Sequence, residues 1–322
     1  MTHSAPASPW AATLTGAEHS LILYFLLLAG LALLFGFVRA YVTRGEVGPR
    51  YRKATIARLG VMGIAGLAYV LMIAIYLTGY ESTDAGWVPS ELAVDLTTVR
   101  FVEWSLTVPL LCAELLAVAT LLGPVARRAR YLAMTLSFLM IFTGFLGVVV
   151  FAESGLRVSL IWFGIGCAFW IATNVVLVRA LRASLPGLTP EAATLFQQAS
   201  VLLLAGWTVY PVVVLVQLFT EGGAWTAATL IALTVADVVI KVGFGGLIHR
   251  VAKLRTAEDV RAGQDVHPES IWISSVKQSD AGVAGEVFLA EGSAVHETRT
   301  RPLGDAAVGM SVAEAAATEA SG

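Results

Sequence analysis

A chain of 322 residues with 57% hydrophobic but only 14% charged residues, and a mean hydropathy of +0.76, carries too little charge for a soluble domain, where about 25% is usual. A net charge of −2 also excludes the strongly basic balance of a nucleic-acid binder. What remains is a multi-pass protein of the cell membrane, in contact with its lipids.

Residues 1–18 are a short polar lead without the basic n-region of a secretory signal, so the first apolar run is expected to stay as a helix. Crossing the hydrocarbon layer takes about 20 apolar residues. Seven such runs begin near His19, Ile56, Leu96, Tyr131, Val158, Pro190 and Trp225. The expected fold is an all-α membrane protein, a seven-transmembrane-helix bundle over residues 19–254. Cys112 and Cys167 fall inside apolar runs and read as small core residues. No P-loop or GxGxxG stands at a strand-to-helix turn. Arg44, Arg50, Arg52, Lys53 and Arg58 crowd the first loop, Arg127, Arg128 and Arg130 the third, Arg179 and Arg182 the fifth, and Arg250, Lys253 and Arg255 follow the seventh run. The even loops hold Glu81, Asp84, Glu91, Glu153, Arg157 and Glu221. Basic loops stay inside, which puts the N-terminus outside and the C-terminus in the cytoplasm. Residues 255–322 are polar and small, with only IWI and VFLA as apolar islands, and read as a mostly disordered cytoplasmic tail.

The third run, RFVEWSLTVPLLCAE, carries charge where charge is costly. An ionisable residue inside a bilayer faces the bundle interior, is paired, and marks function. At about 100° per residue, Glu103 and Glu114 differ by roughly 20° around the helix, with Thr107 about 40° and Arg100 about 60° from Glu103. One stripe therefore bears all four, and Glu114 lies about 16 Å along the axis from Glu103. The bland reading is that Arg100 and Glu114 reach for opposite interfaces while Glu103 only neutralises Arg100. The seventh run weighs against it. Asp237 and Lys241 stand at i and i+4, and Lys241 is roughly 12 Å of helix before His249, too deep to reach water. A structural Asp–Lys pair is the alternative. A lysine buried in an apolar pocket favours the neutral amine that forms a Schiff base with an aldehyde. Its protonated imine would need a counter-anion, which Glu103 and Asp237 can supply, with Arg100 offsetting the surplus.

These residues resemble the microbial (type 1) rhodopsins along all seven helices. RFVEWSLTVPLL is similar to the family's third-helix signature, DVVIKVGFG to its retinal-attachment signature, WTVYPV to helix six and MIFTGFLG to helix four. The resemblance implies all-trans retinal held as a covalent Schiff base at Lys241, between Trp104 and Trp207. It also implies that Tyr210, Tyr69, Met140, Gly144, Leu111 and Pro211 line the pocket, and that Pro109 and Pro211 kink their helices. Glu103, Thr107 and Glu114 occupy the three third-helix positions by which the family's activities sort, and carboxylate, threonine, carboxylate implies an outward proton pump, with Glu103 as acceptor and Glu114 as donor. Most relatives have Asp where Glu103 stands. Heliorhodopsins also have Glu there, but with inverted topology. The alternatives are a photosensor signalling through its tail or a transducer, and a light-gated channel; none is an enzyme. Glu221 matches an extracellular proton-release glutamate, whose companion position is Thr229. Ala68 stands where some pumps place a histidine against the acceptor. Phe163 fills the place of the glycine that admits an accessory carotenoid in some relatives, so no carotenoid antenna is expected. A homo-oligomer, trimer or pentamer, is implied. No metal site is expected.

Overall fold

The computed structural model describes residues 12–217 and 219–262, and the backbone of four short strands at 271–273, 276–278, 287–290 and 293–295. Seven helices run Gly16–Val42, Arg52–Gly79, Leu96–Ala117, Gly123–Phe145, Leu156–Ser184, Pro190–Gln217 and Gly223–Arg261. Six are long and apolar enough to cross a membrane; the third, which carries Arg100, Glu103 and Glu114, is not among them. Each of the first five packs on the next, the sixth packs on the seventh and the seventh on the first, closing a ring in which the fifth meets the sixth only lightly.

The polarity of this bundle is inverted relative to a soluble protein. Leu67 is 74% exposed, and Leu31, Phe35 and Ile56 also face outward, whereas Lys241 is 2% exposed among buried Arg100, Glu103, Glu114 and Asp237. Apolar side chains cover the surface that meets lipid, and helices satisfy every backbone group that lipid cannot. Thr15 and Glu18 open the first helix with a capping box: Thr15 Oγ1 accepts from Glu18 N, and Glu18 Oε2 accepts from Thr15 N at 2.8 Å.

Each end of the bundle has its own clasp. Between the second and third helices the chain forms a hairpin, Tyr80–Thr83 with Gly86–Pro89. Trp87 bridges to the backbone of Leu14 and stacks on His19 at 3.9 Å. Gly86 is required there, because its φ is 115° and a Cβ would stand 2.6 Å from the Leu14 carbonyl oxygen. At the opposite end, Tyr51 donates to Asp259 Oδ2 at 2.8 Å, Arg50 pairs with Asp259 at 3.2 Å, and Gly48 N donates to Thr256 Oγ1 at 2.9 Å.

Two boundaries read from sequence shift. The seventh helix continues past residue 254 to Arg261, and Arg255, Thr256 and Asp259 are buried, so the folded unit takes in the start of what reads as tail. The fourth helix begins at Gly123 and already contains Arg127, Arg128 and Arg130, and the second contains Arg52, Lys53 and Arg58. Hydropathy locates hydrocarbon, whereas backbone hydrogen bonding continues beyond it. Within the tail, Ile271–Ile273 pairs with Val276–Gln278 and Val287–Ala290 with Ser293–Val295, so the two apolar islands each supply a strand. The rest of the tail lies outside the described residues.

Candidate functional site

The third and seventh helices bring the buried charges together. Glu103 and Thr107, one turn apart, face inward, and Thr107 Oγ1 donates to Glu103 Oε1 at 2.8 Å. In the seventh helix a π turn, Val239–Phe244, contains Lys241; such bulges recur at functional sites. Lys241 Nζ donates to Glu103 Oε1 at 2.6 Å and also to Asp237 Oδ1. Asp237 Oδ1 accepts two further bonds, from Trp104 Nε1 at 3.2 Å and from the Tyr210 hydroxyl at 3.4 Å. One cation thus sits between two anions from different helices. Arg100 supplies the second cation: its Nη2 donates to Thr234 Oγ1 at 3.4 Å, and its guanidinium lies 5.7 Å from the ring centres of both Tyr69 and Trp104. The four charges sum to zero. Neutrality lowers the cost of holding them out of water, which is several kcal/mol for each unpaired ion.

An apolar cavity adjoins this cluster between the third, fourth, fifth and sixth helices. Trp104, Met140, Gly144, Trp207, Tyr210 and Pro211 line it, with Phe163 on the fifth helix. The sixth helix makes room by breaking: its two helical parts are Pro190–Gly206 and Val209–Gln217, with Trp207 and Thr208 in the turn between them. Pro211 has no N–H to offer the Trp207 carbonyl, which explains the break. Pro109, in contrast, lies within an uninterrupted helix, Leu96–Ala117, so the kink expected of the third helix is not a break. Gly144 keeps the wall thin, since a Cβ there would stand 3.2 Å from the Phe101 ring. Trp104 and Tyr210 belong to both places, lining the cavity and hydrogen-bonding the carboxylate beside Lys241. A long apolar group with an aldehyde end fits this arrangement. Tyr69 is fully buried beside Arg100, and Leu111 is buried in the core between the helices.

Further along the stripe, Glu114 is 1% exposed, and neither of its oxygens has a hydrogen-bond partner among the described residues. The sequence suggests no cation near it. The structure supplies one: Arg58, counted with the first loop, is a buried residue of the second helix, which packs on the third at this level, where a Cβ at Gly60 would stand 3.1 Å from Leu110 Cδ1. Its signal was its setting, a single arginine between Ile56 and Val61 where the apolar run had already begun. At the hairpin end, Thr229 is bonded by Gln217 Nε2 at 3.4 Å, while Glu221 is exposed. Gln217 and Thr234 are polar residues on apolar helices that no spacing rule singles out.

With this geometry in hand, the family model for bacteriorhodopsin-like proteins matches residues 19–254. The chain belongs to the bacteriorhodopsin-like family. It is 29% identical to archaerhodopsin-3 of Halorubrum sodomense over 233 residues, which cover 71% of this chain and 84% of that protein. It is 30% identical to a bacteriorhodopsin of a Haloterrigena species over 217 residues, 65% of this chain and 79% of the other. A green-light absorbing proteorhodopsin of a gamma-proteobacterium is 26% identical over 69% of this chain and 82% of its own. Among solved structures, xanthorhodopsin, described as a light-driven ion pump with dual chromophore, superposes with a TM-score of 0.70 at 26% identity, covering 77% of this chain and 98% of that one. Thermophilic rhodopsin gives 0.71 at 25% identity with the same coverage. The protein is thus a microbial rhodopsin, multi-pass in the membrane, of a family that normally binds retinal.

Proposed function

We propose that this bacteriorhodopsin-like protein is a light-driven outward proton pump, with retinal carried on Lys241, Glu103 as proton acceptor and Glu114 as proton donor. The observation that carries the reading is the hydrogen bond from Lys241 Nζ to Glu103 Oε1 at 2.6 Å, with a second buried carboxylate, Glu114, about 16 Å further along the same helix.

Retinal bound through Lys241 Nζ supplies a light-driven isomerisation that reorients this nitrogen. The residues do the rest. Glu103 takes the proton from Nζ, and Thr107, bonded to Oε1, fixes the carboxylate that receives it. Trp104 and Tyr210 both donate to Asp237, which fixes that carboxylate beside the nitrogen it accepts from. Arg100 balances the remaining negative charge. Glu114, buried without a hydrogen-bond partner among the described residues, returns a proton to Nζ from the other side. With the basic loops in the cytoplasm, Glu114 is the cytoplasmic carboxylate and net movement is outward. Phe163 lines the cavity where a window for a carotenoid would open, so the reading includes no antenna.

Light-induced pH change in a suspension of intact cells expressing the protein with retinal tests the proposal. Acidification abolished by a protonophore supports it. A sensor would leave the pH unchanged and a channel would give a photocurrent that reverses with voltage; either result overturns it.

A further inference from the structure

Arg58 has no part in the pump assignment, yet it is a buried cation on the Glu114 side of the bundle. It is 3% exposed, and its Nε has no hydrogen-bond partner among the described residues. It lies two turns inside the second helix and reaches across to the seventh: a Cβ added to Gly245, one turn beyond Lys241, would stand 3.2 Å from Arg58 Nε. The glycine is what makes room for the guanidinium. The second helix packs on the third one turn from Glu114, since a Cβ at Gly60 would stand 3.1 Å from Leu110 Cδ1, and the charge of Arg58 bears on Glu114, Glu46, Arg39 and His249. Glu46 in turn accepts from His249 Nε2 at 3.1 Å and pairs with Lys253 at 2.9 Å. The charge of Arg58 thus bears both on Glu114 and on a charged cluster at the basic end.

A buried cation near a buried carboxylic acid, with no hydrogen bond joining them, has little to gain while the acid is neutral. It has much to gain once the acid is ionised, since unit charges attract far more strongly in a protein interior than in water. We propose that Arg58 is a positioning residue for reprotonation, whose guanidinium closes onto the Glu114 carboxylate when Glu114 gives its proton to Lys241 Nζ, and releases it when a proton arrives from the Glu46–His249 side. The step balances: the O–H bond of Glu114 breaks, an N–H bond forms at Lys241, and the new anion is met by a standing cation. No charge need cross from water to meet it. This rests on the assignment of Glu114 as donor.

The test is a set of four proteins with retinal: parent, Arg58→Gln, Glu114→Gln and the double variant, with Arg58→Lys as a fifth. The visible band in the dark reports that each has folded. Flash photolysis follows the return of the proton to Lys241. The infrared carboxyl band of Glu114, assigned by its loss in Glu114→Gln, follows the donor itself. Arg58→Gln should slow the return at least tenfold and keep the Glu114 carboxyl band from bleaching in step with it. Arg58→Lys should restore most of the rate, and the double variant should be no slower than Glu114→Gln alone. If Glu114→Gln is slow and Arg58→Gln returns at the parent rate, Arg58 has no such role and the donor assignment stands. If the two effects multiply in the double variant, Arg58 acts elsewhere and the proposal falls. If Glu114→Gln itself returns at the parent rate, the donor assignment falls and this proposal with it.

Discussion

Arg255 offers the sharpest test of how the bundle is held at its basic end. Its Nη1 donates to the carbonyl oxygens of Val118 at 2.7 Å and Ala119 at 3.0 Å, just beyond the C-terminus of the third helix, and its guanidinium lies 4.9 Å from the Tyr51 ring centre. Carbonyls at a helix C-terminus have no intrahelical N–H to accept from, and a cation there also answers the helix dipole. Arg255 is 6% exposed, so little solvent screens these bonds. Arg255→Met keeps the length and the apolar stem but removes both donors. Each hydrogen bond to a charged group is worth about 1.5–3 kcal/mol, and the terms overlap, so a total loss of about 3 kcal/mol is expected. At about 1.4 kcal/mol per decade, that is about a hundredfold faster unfolding if the contact is absent from the transition state. The assay is loss of the visible retinal band at fixed temperature in detergent. Two truncations sharpen it. Ending the chain after Leu254 should bleach at least as fast as Arg255→Met, whereas ending it after Ala262 should leave the rate near that of the full chain. Parent-like bleaching in Arg255→Met, or in the shorter truncation, would show that the fold ends where the hydropathy does and refute the reasoning.

Other outcomes follow from the site. Lys241→Ala should form no red-shifted pigment when retinal is added, as read by a visible spectrum; a stable pigment would move the attachment elsewhere. Glu103→Gln removes the anion 2.6 Å from Lys241 Nζ, so the dark absorption band should shift to the red and light-driven acidification by cells should stop; unchanged colour with normal acidification would strip Glu103 of both roles. Glu114→Gln should leave the dark colour nearly unchanged, slow the return of the proton to Lys241 at least tenfold, and regain the parent rate on addition of azide, a small diffusible proton carrier. A slow return that azide does not relieve would mean that the substitution blocks something other than proton delivery.

Much of this protein was legible in its sequence because membranes impose one strong rule. Seven apolar runs of sufficient length announce seven helices, and charge placed within them announces the interior. The helical period alone set Arg100, Glu103, Thr107 and Glu114 on one stripe, and Asp237 beside Lys241, since angular position along a helix depends only on residue count. What the period could not give was which stripe meets which. That Lys241 Nζ reaches Glu103 and Asp237 together, that Trp104 and Tyr210 bond the same carboxylate, and that Tyr69 sits beside Arg100 all depend on how the helices are rotated against each other. Arg58 and Arg255 escaped for a related reason. Hydropathy treats an arginine near the end of an apolar run as solvated, but whether it is solvated depends on what packs over it. A neighbouring helix with a glycine at Gly245 leaves a place for one guanidinium, and the free carbonyls of the third helix hold the other. Those partners lie 187 and 137 or 136 positions away in the chain, and only the closed ring of helices brings them within a few ångströms.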